Sequence, residues 1–346
     1  MKLGIIGLPQ SGKSTIFTAL TGARGEGETP GSFHKDAMIA TVTVHDERVM
    51  FLTDMYQPKK TTYAKVEYLL PSKISGKAGS GPEGGIWNQV RPCDALLHVV
   101  RNFKDAREPT PESDFWKMEE ELILSDLMVV EKRLERIELD KKRGKKPEGN
   151  EYSLLMSCKE ILDKGLPLRT DQGLASEPEL RGFTFLSAKS MLVIVNNGDE
   201  DESLPKWEKT PAGADMVLVR GRLEKDIALM DADEAEEFLE MYNIQESALD
   251  RLIRKSFSLL NLISFFTVGP DEVKAWPIPA GTIALDAAGV IHSDIKQGFI
   301  RAEVVAFDDL KNAGSFQEAK KRGQVRLEGK EYRMKDGDIV NFRFNV

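Results

Sequence analysis

Residues 7–15 read Gly7-Leu8-Pro9-Gln10-Ser11-Gly12-Lys13-Ser14-Thr15, the Gly-x-x-x-x-Gly-Lys-Ser spacing of a phosphate-binding loop. Glycines at 7 and 12 let the backbone turn tightly around a phosphate with no Cβ in the way. The amides of Gln10, Ser11, Gly12, Lys13, Ser14 and Thr15 are then expected to point inward at a β-phosphate. Lys13 supplies a compact positive charge for the β- and γ-phosphates, and the Ser14 hydroxyl is placed to ligate Mg²⁺. The chemistry implied is capture of the phosphates of a nucleotide, with Mg²⁺. A Gly-rich strand-to-helix turn can share this spacing by chance, but the context favours the phosphate reading. Residues 3–6 form an apolar strand entering the loop, and Ile16, Phe17 and Leu20 mark the buried face of a helix over 13–20. The N-terminal partial charge of that helix adds to the site.

The elements that must hold this loop follow an α/β pattern. The 346 residues suffice for two or three domains. Residues 37–45, 65–70 and 95–100 have strand character, and the last of these reads as a central strand. Two Gly-rich stretches, 22–31 and 73–85, read as flexible loops. Residues 112–165 differ. Ile123, Leu127, Val130, Leu134 and Ile137 recur by four and three, the seam of a coiled coil. After a break at 141–147, Leu154, Leu155, Cys158, Ile161 and Leu162 form the apolar face of a second helix. This predicts an antiparallel hairpin with Lys141, Lys142, Arg143, Lys145 and Lys146 at its tip. Such a tip is ordinarily a solvated turn, and the sharper alternative is contact with a nucleic-acid backbone. The α/β pattern resumes from 183, with strands at 191–195 and 216–219 and a helix over 246–262. Residues 263–346 form a unit of short strands with Pro/Gly turns.

Composition narrows the class. The formal net charge is −8, with 41% hydrophobic and 30% charged residues, which argues against coating nucleic acid by bulk electrostatics. No apolar run reaches membrane-spanning length and no signal-peptide pattern opens the sequence. Cys93 and Cys158 form no metal motif and fit a reducing cytosol, with Cys93 read as a buried thiol. A cytoplasmic monomer with no membrane role is expected. The four histidines, 34, 45, 98 and 292, are scattered, and His98 reads as a satisfied core imidazole. Phe265, Phe266, Trp276, Phe299, Phe342 and Phe344 read as core of the last unit rather than as stacking platforms for bases.

That last unit carries a family signature. Phe265-Phe266-Thr267-Val268-Gly269, Glu272-Val273-Lys274-Ala275-Trp276 and Ala288-Gly289-Val290-Ile291-His292-Ser293-Asp294 resemble the YchF (Obg-like ATPase) family. So do Gly298-Phe299-Ile300-Arg301-Ala302-Glu303-Val304, Arg326-Leu327-Glu328-Gly329-Lys330 and the stretch from Lys335-Asp336-Gly337-Asp338 to Phe342-Arg343-Phe344-Asn345-Val346. The phosphate loop is similar to that family's, as is Asp94-Ala95 followed by His98-Val99-Val100-Arg101. The resemblance covers nearly the whole chain. It implies a Ras-like P-loop nucleotide-binding domain over 1–111 and 166–262. A coiled-coil hairpin would be inserted at 112–165, and a C-terminal TGS domain of β-grasp fold would occupy 263–346. Ribosome or RNA binding is implied, with a tendency toward ATP. Ordinary GTPases carry Asn-Lys-x-Asp after a buried strand, and the Asp accepts two hydrogen bonds from guanine. Here Asn197-Gly198-Asp199-Glu200 aligns with the family's Asn-x-x-Glu, which removes that acceptor and with it the guanine selectivity. Asn197, Gly198, Glu200 and the loop Arg220-Gly221-Arg222-Leu223 are then expected around the base.

The sequence departs from the family where hydrolysis is controlled. The family's Asp-x-x-Gly, whose Asp holds Mg²⁺ through water and whose Gly amide senses the γ-phosphate, reads Leu70-Pro71-Ser72-Lys73. The family's metal-binding threonine falls on His34, read as an exposed loop histidine. Gln10-Ser11 stand where the family has Asn-Val, a minor change. The expectation is a nucleotide-binding, translation-associated factor with weak or absent hydrolysis. The alternatives are a slow ATPase using Lys73 or His34, and an interaction scaffold with a vestigial P-loop. No catalytic residue is assigned.

Overall fold

The computed structural model describes residues 1–22, 37–72, 85–144, 149–241 and 247–345. It divides into two compact units, Met1–Val42 with Glu67–Ser256, and Thr43–Val66 with Phe257–Val346. The sequence reading keeps 43–66 with the nucleotide domain and treats 112–165 as an insertion of its own. By contacts, 43–66 groups with the C-terminal segment.

The first unit is built on a six-stranded sheet. Its strands in chain order are β1 (Lys2–Ile6), β2 (Ala37–Val44), then, after β3 (Lys60–Thr62) of the other sheet, β4 (Ala64–Pro71), β5 (Ala95–Asn102), β6 (Ser190–Asn197) and β7 (Ala214–Val219). The spatial order is β2-β4-β1-β5-β6-β7, with β1 parallel to β4 and β5, and β6 parallel to β5 and β7. Central strands covered on both faces should be continuously apolar. Residues 95–100 of β5 and 191–197 of β6 are buried without a break. The register pairs Ile6 with His98 and Asn102 with Asn197. The carboxyl ends of β1, β5 and β6 therefore share one edge, where open α/β sheets place their ligands. Helix α1 (Lys13–Gly22) leaves β1 at that edge and buries Ile16, Phe17, Ala19 and Leu20.

Other helices brace this sheet. After α2 (Glu47–Tyr56) of the second unit comes α3 (Ile86–Val90), then α4 (Pro111–Lys142) and α5 (Glu151–Asp163). Helix α4 starts with Pro at N1, acidic Glu112 and Asp114 in its first turn, and ends with Lys141 and Lys142, each matched to the helix dipole. The hairpin seam is the one the heptads predict. Ile123, Val130, Leu134, Ile137, Leu155, Cys158 and Leu162 are buried together, with Leu127, Leu154 and Ile161 partly buried against them. Ion pairs Arg133–Glu151 (2.7 Å) and Lys159–Glu131 (2.6 Å) fix its register. Of the basic tip, Lys141, Lys142 and Arg143 are exposed, with Lys141 Nζ over the Tyr152 ring at 3.5 Å, while Lys145 and Lys146 lie outside the described residues. The root of α4 is tied down by buried charges. Asp126 accepts from the Leu186 and Ser187 amides (3.0 and 2.7 Å) and from Arg91 (3.1 Å), and Glu119 accepts from the Arg169 guanidinium.

The second unit holds a mixed six-stranded sheet. Strands β8 (Leu262–Val268), β9 (Glu272–Pro279), β10 (Phe299–Ala306), β11 (Arg326–Glu328) and β12 (Asp338–Phe344) join β3 in the order β11-β10-β12-β8-β9-β3. Helix Ala284–Ile291 buries Ala284, Ala287 and Ala288 against Phe265, Ile278, Phe299, Val304 and Phe342. Of the six aromatics expected in this core, four are buried, Trp276 is partly covered, and Phe344 is 40% exposed. Phe344 is the last residue of the final strand, β12. Arg48 of α2 pairs with Asp46 (2.8 Å) and Asp336 (2.7 Å) and lies over the Phe266 ring at 5.1 Å. The predicted helix over 246–262 is shorter, Ala248–Leu259, because 262–268 is drawn into the sheet as β8. Among the described residues no helix is long and apolar enough to cross a membrane.

Candidate nucleotide site

The loop between β1 and α1 has the backbone that phosphate capture needs. Gly7 and Gly12 take φ of 148° and 95°, in the region that excludes most side chains. Space forbids a side chain as well. A Cβ on Gly7 would stand 2.3 Å from the Val99 carbonyl oxygen, and one on Gly12 2.1 Å from Asn196 Nδ2. Gln10 adopts a left-handed φ of 66° at the exposed crest of the loop. The first amides of an α-helix have no carbonyl within the helix to bond, and Ser14 and Thr15 stand in that first turn of α1, where an anion is favoured. Lys13 Nζ donates to the carbonyls of Gly7 (2.8 Å) and Leu8 (2.7 Å), so its charge lies over the loop. Ser14 is exposed and Thr15 half-buried. Ser11 is buried, and its hydroxyl has no hydrogen-bond partner among the described residues. That orphaned oxygen, beside two glycines that tolerate no Cβ, fits a loop shaped to surround a polar group.

A cleft of about 500 Å³ opens beside the loop. Leu8, Pro9, Gln10 and Ser11 form one side, and the end of β5 from His98 to Arg101, with Asp105, Arg107 and Asp114, forms the other. His98 is buried as expected but not satisfied, since its Nδ1 has no partner among the described residues. Its ring stacks on Phe115 at 5.2 Å. Burial, with the positive charges of Arg169 and Lys13 adding to it, pushes the imidazole pKa down from 6.5 to about 3. A neutral His98 therefore lines the cleft at any physiological pH.

The residues expected around the base fall into two groups. Asn196 is 3% exposed at the end of β6. Its Nδ2 donates to the Ser11 carbonyl (3.1 Å) and its Oδ1 accepts from the Gly221 amide (3.0 Å), so one side chain joins the phosphate loop to the loop after β7. Asn197 points the other way, as alternation along a strand requires. Its amide is spent on the 198–203 loop, donating to Asp201 O (3.0 Å) and Ser203 O (2.8 Å) and accepting from Asn102 Nδ2 (2.9 Å). Gly198 turns that loop by accepting from the Asp201 amide at 3.1 Å. Glu200 is exposed on it. Gly221 packs so closely that a Cβ would lie 2.7 Å from Asn196 Oδ1 and 2.8 Å from Ile16 Cδ1. The sequence reading passed over Asn196, although its place at the end of an apolar strand marked it as well as its neighbour.

The switch positions are less complete. Leu70 is buried at 7% exposure on β4, and the Ser72 amide donates to Gln89 Oε1 at 3.1 Å. His34 and Lys73 lie outside the described residues. No cluster of three metal-binding side chains occurs among the described residues. Both cysteines are buried, and burial pushes each thiol up to about 11, so they are inert thiols.

The YchF-GTPase_C family model, described as a protein of unknown function (DUF933), matches residues 262–345. The Bacillus subtilis protein named ribosome-binding ATPase YchF is 37% identical over 99% of this chain and 99% of its own length. An Escherichia coli protein of the same name is 35% identical over 100% and 99%. The Schizosaccharomyces pombe YchF GTPase structure superposes with a TM-score of 0.85 at 27% identity, covering 99% of this chain and 97% of that one. A GTP-binding protein from Pyrococcus horikoshii shares the fold, with a TM-score of 0.61 at 16% identity over the full length of both chains. The phosphate loop, the hairpin and the C-terminal sheet all lie within these full-length matches, and the chain belongs to the YchF family.

Proposed function

We propose that this chain is a ribosome-associated factor that binds a purine nucleotide on residues 7–15 and hydrolyses it weakly. One observation carries the reading. The cradle is intact, with Lys13, the two constrained glycines and the Asn196 bridge, while the β4 position that should bear a metal-positioning carboxylate is the buried Leu70. An aliphatic side chain cannot orient a hydrated cation. Ser14 at the head of α1 would hold Mg²⁺ through its hydroxyl oxygen. When bound, the metal supplies charge neutralisation on the phosphates. Phosphoryl transfer depends on positioning and on fixed charge. Removing one preorganised stabilising group lowers turnover by about 100- to 1,000-fold. The ribosome as partner rests on the names of the Bacillus and Escherichia relatives and on the hairpin and C-terminal unit shared with them. Calorimetric titration of the full chain with ATP and GTP, with and without Mg²⁺, tests the binding half. Saturable binding that disappears in Lys13→Ala is expected. Equal binding by Lys13→Ala would make the loop vestigial and the chain a scaffold.

A further inference from the structure

A second cavity, of about 540 Å³, lies between the start of α4 and the loop 205–209. It shares no lining residue with the cleft beside the phosphate loop. Pro111 and Trp116 line it from α4, and Pro205 and Trp207 line it from the loop, so two of the four tryptophans of the chain meet there. Both indoles remain partly exposed. Apolar rings gathered at one cavity mark a binding surface, whereas apolar residues scattered singly over a surface do not.

The walls of this cavity are braced. Phe115 is fully buried beneath it and meets the Trp116 ring edge-on at 5.0 Å and the Trp207 ring at 5.4 Å. The Glu112 carboxylate accepts from the backbone amides of Glu208 (3.0 Å) and Lys209 (2.9 Å), which ties the loop to the first turn of α4. Those two amides, with a smaller contribution from the Trp116 indole, hold the Glu112 pKa below the usual carboxylate range. The acid is therefore spent on the loop, and donors remain for a ligand. The buried Trp207 Nε1 has no hydrogen-bond partner among the described residues. Lys206 and Lys209 bring ammonium groups to the rim. Their two charges are balanced by Glu112 and Glu208, so the cavity sets up no strong field of either sign.

We propose that this cavity binds a proline-rich segment of a partner protein in the polyproline II conformation. Such a segment makes no internal hydrogen bonds, so its carbonyls are open to donors. Proline has a carbonyl and no N–H, and so asks for donors alone. That complements a cavity whose lining carboxylate nearest the loop is already engaged and whose Trp207 N–H lacks an acceptor. Aromatic-lined grooves are the general receptor for these segments, and a helix formed before binding loses little entropy on docking. A single nucleic-acid strand also stacks on aromatic rings, but it needs a positive groove along its backbone, and this rim is charge-balanced.

The test is fluorescence anisotropy of a labelled decaproline peptide titrated with the full chain, beside a labelled decauridine RNA. Saturable decaproline binding is expected, changing by less than about twofold between low and high salt, because an uncharged ligand is not screened. Trp207→Ala should weaken it by about tenfold or more, as for the loss of an aromatic anchor. Trp207→Phe keeps a ring against Phe115 and loses only the N–H, so it remains informative if the alanine variant fails to fold. It should weaken binding by about two- to tenfold, the size of one hydrogen bond. No decaproline binding by the wild type at millimolar peptide overturns the proposal. Wild-type affinity in a folded Trp207→Ala overturns it as well. Decauridine binding that is tighter than decaproline binding, depends on Trp207 and falls steeply with salt overturns it in favour of a nucleic-acid site.

Discussion

Replacing Asn196 with alanine should separate the two halves of the site. The side chain is 3% exposed and makes two hydrogen bonds, to Ser11 O at 3.1 Å and from Gly221 N at 3.0 Å. Alanine leaves both backbone groups without a partner. Each orphaned buried group costs about 1–3 kcal/mol, so the fold should lose about 2–6 kcal/mol. At about 2–4 °C per kcal/mol for a unit of this size, the melting temperature should fall by about 4–24 °C. Asn197→Ala removes three hydrogen bonds from a residue that is 2% exposed and should destabilise by a similar amount. Nucleotide affinity distinguishes the two. Asn196 connects the phosphate loop to the Gly221 amide, so its loss should weaken nucleotide binding by about tenfold or more, the size of one well-placed hydrogen bond. Asn197 faces the 201–203 loop, so its loss should change affinity by less than about threefold despite the equal thermal penalty. Fluorescence titration with labelled adenosine and guanosine nucleotides, beside thermal unfolding of both variants, reads both quantities. If Asn197→Ala abolishes binding while Asn196→Ala binds like the wild type, the assignment of the bridging asparagine is wrong.

Further outcomes follow from the same geometry. Gly12→Ala places a Cβ 2.1 Å from Asn196 Nδ2 at a φ of 95°, and should weaken nucleotide binding by about tenfold or more in the same titration. His98 has its folded pKa lowered to about 3 against 6.5 when unfolded, so the unfolded chain binds the extra proton. Its contribution to stability is intact above 6.5 and is lost at about 1.4 kcal/mol per unit as pH falls from there toward 3. Urea unfolding of His98→Gln against wild type across that window should show the wild type's steeper decline, and parallel curves would contradict it. Glu119→Ala strands the Arg169 guanidinium, 5% exposed, in the interior and should cost about 3–5 kcal/mol in urea unfolding.

The features that were legible in the sequence are local ones. The phosphate loop announces itself because its glycines, lysine and serine act within nine residues, and the structure gives Gly7 and Gly12 the φ values that spacing implies. The hairpin seam from Ile123 to Ile137 was legible because a heptad repeats its own evidence, and β5 and β6 because buried parallel strands are apolar throughout. What escaped depends on distant partners. Lys60–Thr62 is a three-residue strand with no apolar signature, and its pairing to Glu272, Val273 and Lys274 draws 43–66 into the C-terminal unit. Glu119 and Asp126 look like ordinary surface carboxylates of a long helix until Arg169 and the amides of Leu186 and Ser187 meet them. Asn196 and Asn197 are the same residue type side by side, so composition cannot separate them, and only strand alternation against a fixed sheet does.

Weak hydrolysis on an intact cradle is the central claim, and single-turnover hydrolysis tests it most directly. The full chain and the Bacillus subtilis relative are loaded with radiolabelled ATP or GTP and Mg²⁺ above saturation, and phosphate release is followed in parallel. With Leu70 at the carboxylate position, this chain should remain bound while releasing phosphate about 100-fold or more slowly than the relative. Equal single-turnover rates with equal occupancy would contradict the account.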